Sequence, residues 1–354
     1  MRIVIHAGMH KTGTSSVQDF FFEHSPAEIA YPNWLEANHC GLFILLFEDL
    51  DRLAAYHGFH ARGPDFTATL PALREKNMAR MSAFLDANRH RTVLISAEDI
   101  SSPEFRSATA RMRDFLSQWT NDIEVIVYVR SALDFAVSAF QQILKDSGMQ
   151  GLDFEFLWPH FQDRIGGLDK IFGRERVAVR LYDRESMKQG DIVSDFFDAL
   201  RLQAPQGYRP ESNTALSAEA TCLLFLQRKL GLGYQSGAEN AQSANNRFIE
   251  LLSEVGSHSM TFGDALWKPV ADAHAEDQAW MDARLGGAMK TTKSGASGQH
   301  ITIGSEQDLV LVALSSASEL EKVLAREIER TSADLLDRIV RGLEMLRVIA
   351  KLGS

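Results

Sequence analysis

Arg2-Ile3-Val4-Ile5-His6-Ala7-Gly8-Met9-His10-Lys11-Thr12-Gly13-Thr14-Ser15-Ser16 starts with a β-branched run, passes through a loop with two glycines, and ends in a cluster of hydroxyl residues. Arg2 to Ala7 predicts a short strand. Ser15 to His24, carrying Val17, Phe20, Phe21 and Phe22, predicts an amphipathic helix. A strand that feeds a tight glycine loop and then a helix directs backbone N–H groups and the positive end of the helix dipole at one place, which suits an anion. Lys11 adds a full charge inside that loop, and Thr14, Ser15 and Ser16 add hydroxyl donors that are equally suited to capping the helix.

The spacing differs from the GxxxxGK[ST] loop of nucleotide triphosphatases, because Lys11 precedes Gly13 by two residues and Thr14 stands where that loop has its lysine. No strand end is an obvious magnesium ligand, which disfavours metal-assisted phosphoryl transfer.

The pattern repeats along the chain. Thr92 to Ser96 and Ile123 to Val129 predict buried strands, the first ending in Ala97-Glu98-Asp99 and the second in Arg130. A fourth strand, Val177 to Leu181, precedes Tyr182 and a helix over Ile192 to Leu200. Helices are expected over Gly41 to Tyr56, Leu73 to Asn88, Arg111 to Trp119 and the segment carrying Leu133 to Leu144. Alternation of this kind predicts an α/β fold, a parallel central sheet flanked by helices, with ligands at the carboxyl ends of its strands. Residues 1–213 form this expected core, with a pocket insertion over about 26–71. Residues 214–354 are expected to be a mainly helical part packed on the core, containing a mobile loop at 286–299. The apolar stripe Leu320, Leu324, Ile328, Leu335, Ile339, Leu343 and Leu346 leaves a homodimer through the C-terminal helices open, although it lacks a sustained heptad seam.

The 354 residues, 45% hydrophobic and 24% charged, have the balance of a globular protein. A formal charge of −10 argues against nucleic-acid partners. Two isolated cysteines, Cys40 and Cys222, suggest neither a disulfide framework nor a zinc site. No stretch has the length of a membrane span or the form of a secretory leader, so a soluble cytoplasmic protein is expected.

The stretch His6-x-Gly8-x-His10-Lys11-Thr12-Gly13-Thr14 resembles the start of the bacterial branch of sulfotransferases that use 3′-phosphoadenosine 5′-phosphosulfate. The resemblance runs through Tyr31-Pro32, Ser96-Ala97-Glu98, Leu181-Tyr182-Asp183-Arg184, Asp195-Phe196-Phe197 and Asn213, roughly the first 215 residues. It implies that Lys11, Thr12, Gly13, Thr14, Ser15 and Ser16 hold the 5′-phosphosulfate. It also implies that Arg130 and Ser138, eight residues apart, hold the 3′-phosphate, with no metal required. Tyr182 matches a strand-end tyrosine near the adenine, and a buried structural tyrosine is the other interpretation.

Sulfuryl transfer needs a stabiliser for the leaving oxygen and a group that takes the acceptor proton. Lys11 suits the first task. In this family the base is a histidine or a glutamate, which makes Glu98 and His39 the leading candidates, ahead of His10. The expected acceptor is a small molecule or glycan, a carbohydrate or glycolipid above others, and Tyr31, Trp34, Phe47, Tyr56, Phe59 and Phe66 form either its apolar surface or the insertion's own core. Two alternatives are a P-loop nucleotide kinase or hydrolase and a nonenzymatic nucleotide-binding module.

Overall fold

The computed structural model describes the chain except for residues 35, 61, 147–150, 206–214, 232–240, 292–299, 332–336, 338, 342 and 345–354. Asn213, Leu335 and Leu346 therefore lie outside the described residues, as do 292–299 of the expected loop.

The elements that build the site are β1 (Arg2–His6), α1 (Thr14–His24), β2 (Ile29–Ala30), α2 (Cys40–Phe47), α3 (Leu70–Ala87), β3 (Thr92–Ser96), α4 (Arg106–Leu116), β4 (Ile123–Val129), α5 (Ala132–Asp146), α6 (Phe161–Phe172), β5 (Val177–Leu181) and α7 (Ile192–Leu200). The five strands form one sheet in the order β2-β3-β1-β4-β5, and every pairing is parallel. Ile3 lies beside Val93 on one side and Ile123 on the other. Parallel sheets are covered on both faces, and here Ile3, Val4, Ile5, Val93, Leu94, Val125, Val127 and Val129 are all buried. Each fully buried aliphatic side chain contributes about 1.5–3 kcal/mol.

One face is covered by α1 and α7. Phe20 and Phe21 of α1 meet Phe196 and Phe197 of α7, with Phe21 stacked on Phe197 at 5.3 Å, over Val4, Leu94 and Ile126 of the sheet. A polar clamp joins the same layers. Tyr128 donates its hydroxyl to Asp195 Oδ2 at 2.6 Å, and Arg180 of β5 forks onto both Asp195 oxygens at 2.8 and 2.9 Å.

The chain order reverses direction at β1, whose neighbours are β3 on one side and β4 on the other. In an open α/β sheet such a switch point leaves a crevice at the carboxyl ends of the strands. The loop 7–13 starts there.

The four predicted sheet strands fall where the pattern places them. The helix expected over Gly41 to Tyr56 is shorter, because α2 ends at Phe47 and Glu48 and Asp49 are extended. Arginines from the neighbouring helices take the last carbonyls of α2: Arg74 donates to Leu45 O at 2.7 Å and Arg111 to Phe47 O, while Arg111 also reaches the buried Glu48 carboxylate. Carbonyls satisfied this way need no further helical turn.

The described chain separates into two compact units. The first comprises 1–138, 154–214 and 269–295 and holds the five-stranded sheet. The second comprises 139–153, 215–268 and 296–354. Within the second, α8 (Ala218–Leu230) is tied to the end of α5: Gln141 donates to Leu216 O and Thr221 Oγ1, Arg228 donates to Leu144 O, and Phe140 meets Phe225 and Phe262. It also holds a pair of short parallel strands, β6 (Ser259–Phe262) and β7 (His300–Ile303), which the expectation of helix and irregular chain after 213 missed. Among the described residues no helix is long and apolar enough to cross a membrane.

Candidate anion-binding and transfer site

Backbone bonds extend β1 past its end. Ala7 N donates to Ile126 O at 2.9 Å, Met9 N to Tyr128 O at 2.8 Å, and Tyr128 N to Gly8 O at 2.7 Å, so the first half of the loop is laid along β4. The chain then turns through left-handed residues at Lys11 (φ 65°) and Gly13 (φ 76°) into α1. Thr12 is fully buried, and its hydroxyl donates to Met9 O at 2.6 Å, bracing the turn from inside. Its side chain therefore belongs to the loop's frame.

Gly13 is the residue before α1 and offers no side-chain cap, and the first turn of that helix contains no acid. Thr14 does not cap either, because its hydroxyl donates to Glu98 Oε1. The leading N–H groups of an 11-residue helix thus keep their positive character, with Ser15 exposed and Ser16 half-buried beside them. Gly13 is also a close approach: a Cβ there would sit 2.9 Å from the Tyr182 ring and 3.1 Å from Ile192. Alanine at 13 would add left-handed strain of about 1–2 kcal/mol to that overlap. Gly13→Ala is expected to lower the thermal midpoint and to weaken anion binding about tenfold or more, both read by titrating the variant with adenosine 3′,5′-bisphosphate in a thermal-shift experiment.

Arg130 follows β4 and closes over the loop. Its Nη1 donates to Lys11 O at 3.1 Å, and the guanidinium lies 5.7 Å from the centre of the Tyr182 ring. Its Nε is buried and has no hydrogen-bond partner among the described residues. Burial pulls the Arg130 pKa below its ordinary value, and the nearby Asp134 carboxylate partly offsets this. Asp134 accepts from the Ser131 hydroxyl at 2.7 Å. Ser131, Asp134 and Ser138 share one face of the helical segment through their spacing. Ser138 is half-buried, and its hydroxyl makes no hydrogen bond among the described residues.

Glu98 reaches the loop from the end of β3. A Cβ on Gly8 would lie 3.2 Å from Glu98 Cα, so glycine lets the two strand ends close together. Beyond its bond from Thr14, Glu98 places Oε2 3.5 Å from His10 Nε2, and Asp99 Oδ1 lies 3.5 Å from the same nitrogen. The Tyr56 hydroxyl donates to Asp99 Oδ2 at 2.9 Å. Burial works to raise the Asp99 carboxyl, yet His10 and the Tyr56 hydrogen bond more than offset it and hold Asp99 below the usual carboxylate range. The sequence pointed to Glu98 and His10 individually. It offered Tyr56 only as one of the insertion's aromatics, not as a partner of Asp99; Tyr56 lies in the bend between the short helices Leu50–Leu53 and His57–His60.

His39 is not at the loop's open side. It is 2% exposed, its Nε2 lies 2.9 Å from Pro32 O, and its Nδ1 accepts from Ser96 N at 3.1 Å. Burial lowers its pKa to about 4, and His6, buried beneath the sheet end, is lowered to about 3. Both are therefore neutral in the folded protein at pH 7. As pH falls below about 6.5 the unfolded chain takes up protons that these two sites refuse, and stability is lost progressively until they titrate near 4 and 3. Holding His39 neutral down to about pH 4 corresponds to on the order of 3 kcal/mol. Urea-unfolding free energy is expected to fall between pH 6.5 and pH 4, with a shallower slope in His39→Gln; an unchanged slope would contradict this.

The aromatics of the insertion pack largely on one another and on neighbouring helices. Phe59 lies between Tyr56 (5.1 Å) and Phe66 (6.1 Å), Phe47 meets Phe115 of α4 (5.6 Å), and Trp34 meets Phe84 of α3 (5.4 Å). Among the described residues no group of three or more His, Cys, Asp or Glu is arranged to hold a metal.

No family model matches the chain. A curated protein of Archaeoglobus fulgidus, described as uncharacterized, is 22% identical over 142 residues, a match that spans 39% of this chain and 39% of that protein. A solved structure of a sulfotransferase from Alicyclobacillus acidocaldarius superposes with a TM-score of 0.37 and 18% identity, covering 64% of this chain and 91% of its own. Overlap at that level says nothing about activity, and the functional assignment stands on the site's own geometry.

Proposed function

We propose that this protein is a sulfotransferase that moves a sulfuryl group from 3′-phosphoadenosine 5′-phosphosulfate to a hydroxyl, or less readily an amine, of a small-molecule or glycan acceptor. The observation that carries the proposal is the pairing of a helix start that no side chain caps with Arg130, a half-buried residue whose buried Nε has no partner among the described residues. A phosphate beside this guanidinium would accept charge-assisted hydrogen bonds from it. The donor has an anionic group for each half of the site. Its phosphosulfate suits the loop from Lys11 to Ser16, and its 3′-phosphate suits Arg130 with the Ser138 hydroxyl. Tyr182, packed against Gly13 and Arg130, is positioned to border the base.

Lys11 is assigned to the bridging oxygen, where charge develops as the phosphosulfate bond breaks. Glu98 is assigned to hold Thr14 and His10 in place. His39 has both ring nitrogens engaged by backbone and is not carried into the transfer step. Buried free cysteines Cys40 and Cys222 fit a reducing, cytoplasmic setting. Carbohydrate and glycolipid acceptors are the first to test. Radiolabelled donor incubated with metabolite and glycan extracts should yield a labelled product by mass spectrometry, and it should do so without added divalent metal. Donor binding with no product from any extract would leave a binding module in place of a transferase.

A further inference from the structure

We propose that His10 is the catalytic base of the transfer step, and that Asp99 and Glu98 orient it. The inference rests on the sulfotransferase assignment above and adds the proton's route to it. Among the described candidates around the loop, Glu98, Asp99, His39 and His10, one has an exposed, unengaged atom. Glu98 receives Thr14 on Oε1, faces His10 with Oε2, and has a side chain only 15% exposed. Asp99 receives Tyr56 and faces His10, with a side chain 11% exposed. His39 is sealed against Pro32 and Ser96.

His10 differs on each count. Its side chain is 39% exposed, and it occupies the loop position directly before Lys11. Its Nε2 faces two carboxylates at 3.5 Å each, an arrangement that places the ring proton on Nε2 and leaves Nδ1 as the lone-pair nitrogen. Nδ1 has no hydrogen-bond partner among the described residues. Imidazole oriented by a carboxylate through its other nitrogen is the general arrangement for proton abstraction from a hydroxyl.

The acceptor oxygen forms a bond to sulfur, the bond from sulfur to the bridging oxygen breaks, and its electron pair stays on the phosphate of the departing adenosine 3′,5′-bisphosphate. The acceptor proton passes to His10 Nδ1. Asp99 and Glu98 stabilise the imidazolium until it releases the proton to solvent. Tyr56 and the Cys40 thiol, which accepts from Asp99 N at 3.4 Å, fix Asp99 from behind.

The test compares His10→Asn and Glu98→Gln with the wild type. Two readouts are used: release of labelled sulfate from the donor with water as acceptor, and calorimetric binding of adenosine 3′,5′-bisphosphate. His10→Asn should lose about 10²–10⁴-fold in kcat, the range for general-base removal. It should bind the bisphosphate within about threefold of wild type, a difference of less than about 1 kcal/mol, and recover part of its rate in added imidazole. Glu98→Gln should lose less, because its amide oxygen still accepts from Thr14. A His10→Asn protein with undiminished kcat overturns the inference, as does one that imidazole does not rescue while Glu98→Gln is the more damaged variant. A wild-type protein that fails to bind the bisphosphate overturns the sulfotransferase assignment itself, and this inference with it.

Discussion

Lys11→Ala is expected to lower the rate of sulfuryl transfer by about 10²–10³-fold, the usual consequence of removing one preorganised stabiliser of developing negative charge. The loop makes this a sharp test. Lys11 is held in the left-handed region with its carbonyl bonded to Arg130, two backbone features that an alanine side chain retains. The truncation should leave the loop in place and the melting temperature close to wild type. Bisphosphate affinity should fall far less than kcat, because the charge on the bridging oxygen matters most while the bond is breaking. Equal losses in affinity and rate would place Lys11 in ground-state binding instead.

Arg130→Ala should show the opposite split. Hydrogen bonds to a charged group contribute about 1.5–3 kcal/mol each, so losing a forked contact to phosphate is worth about 10²-fold or more in affinity. The expected signature is positional. Wild type should prefer adenosine 3′,5′-bisphosphate over adenosine 5′-phosphate, and that preference should disappear in the variant while affinity for the monophosphate changes little. Arg130→Lys should recover only part of it, since a lysine retains the charge and one donor but not the planar fork. A competition titration of the two nucleotides against each variant measures this directly. An Arg130→Ala protein that keeps the 3′-phosphate preference would show that the orphaned Nε serves some other group.

The sheet was legible because its strands are buried on both faces and read as apolar runs bounded by polar strand ends. Ile123–Val129 is the clearest case. The early end of α2 was not legible, because it depends on Arg74 and Arg111 reaching across from other helices. The strands β6 and β7 were missed because each is four residues long and their pairing spans about forty residues of chain, a separation that local periodicity cannot register.

The site was legible in part for the same reasons. Gly8, Lys11 and Gly13 stand out as a glycine loop between a strand and a helix, whereas Arg130 enters only through the family resemblance. His39 was attractive because a histidine in an aromatic-rich insertion looks like a pocket residue; its sequence neighbours do not reveal that Pro32 and Ser96 take both ring nitrogens. The triangle of His10, Glu98 and Asp99 joins a loop after β1 to the end of β3. Only the order of strands in the sheet makes those segments neighbours.

The central claim is that the loop and Arg130 together hold a nucleotide with phosphates on both ends of its ribose. Calorimetric titration of the full-length protein with adenosine 3′,5′-bisphosphate in the presence of a metal chelator tests it most directly. Saturable one-to-one binding without magnesium, well tighter than that of ATP with or without magnesium, is the predicted result. Tight magnesium-dependent binding of ATP, with the bisphosphate binding weakly or not at all, would contradict it.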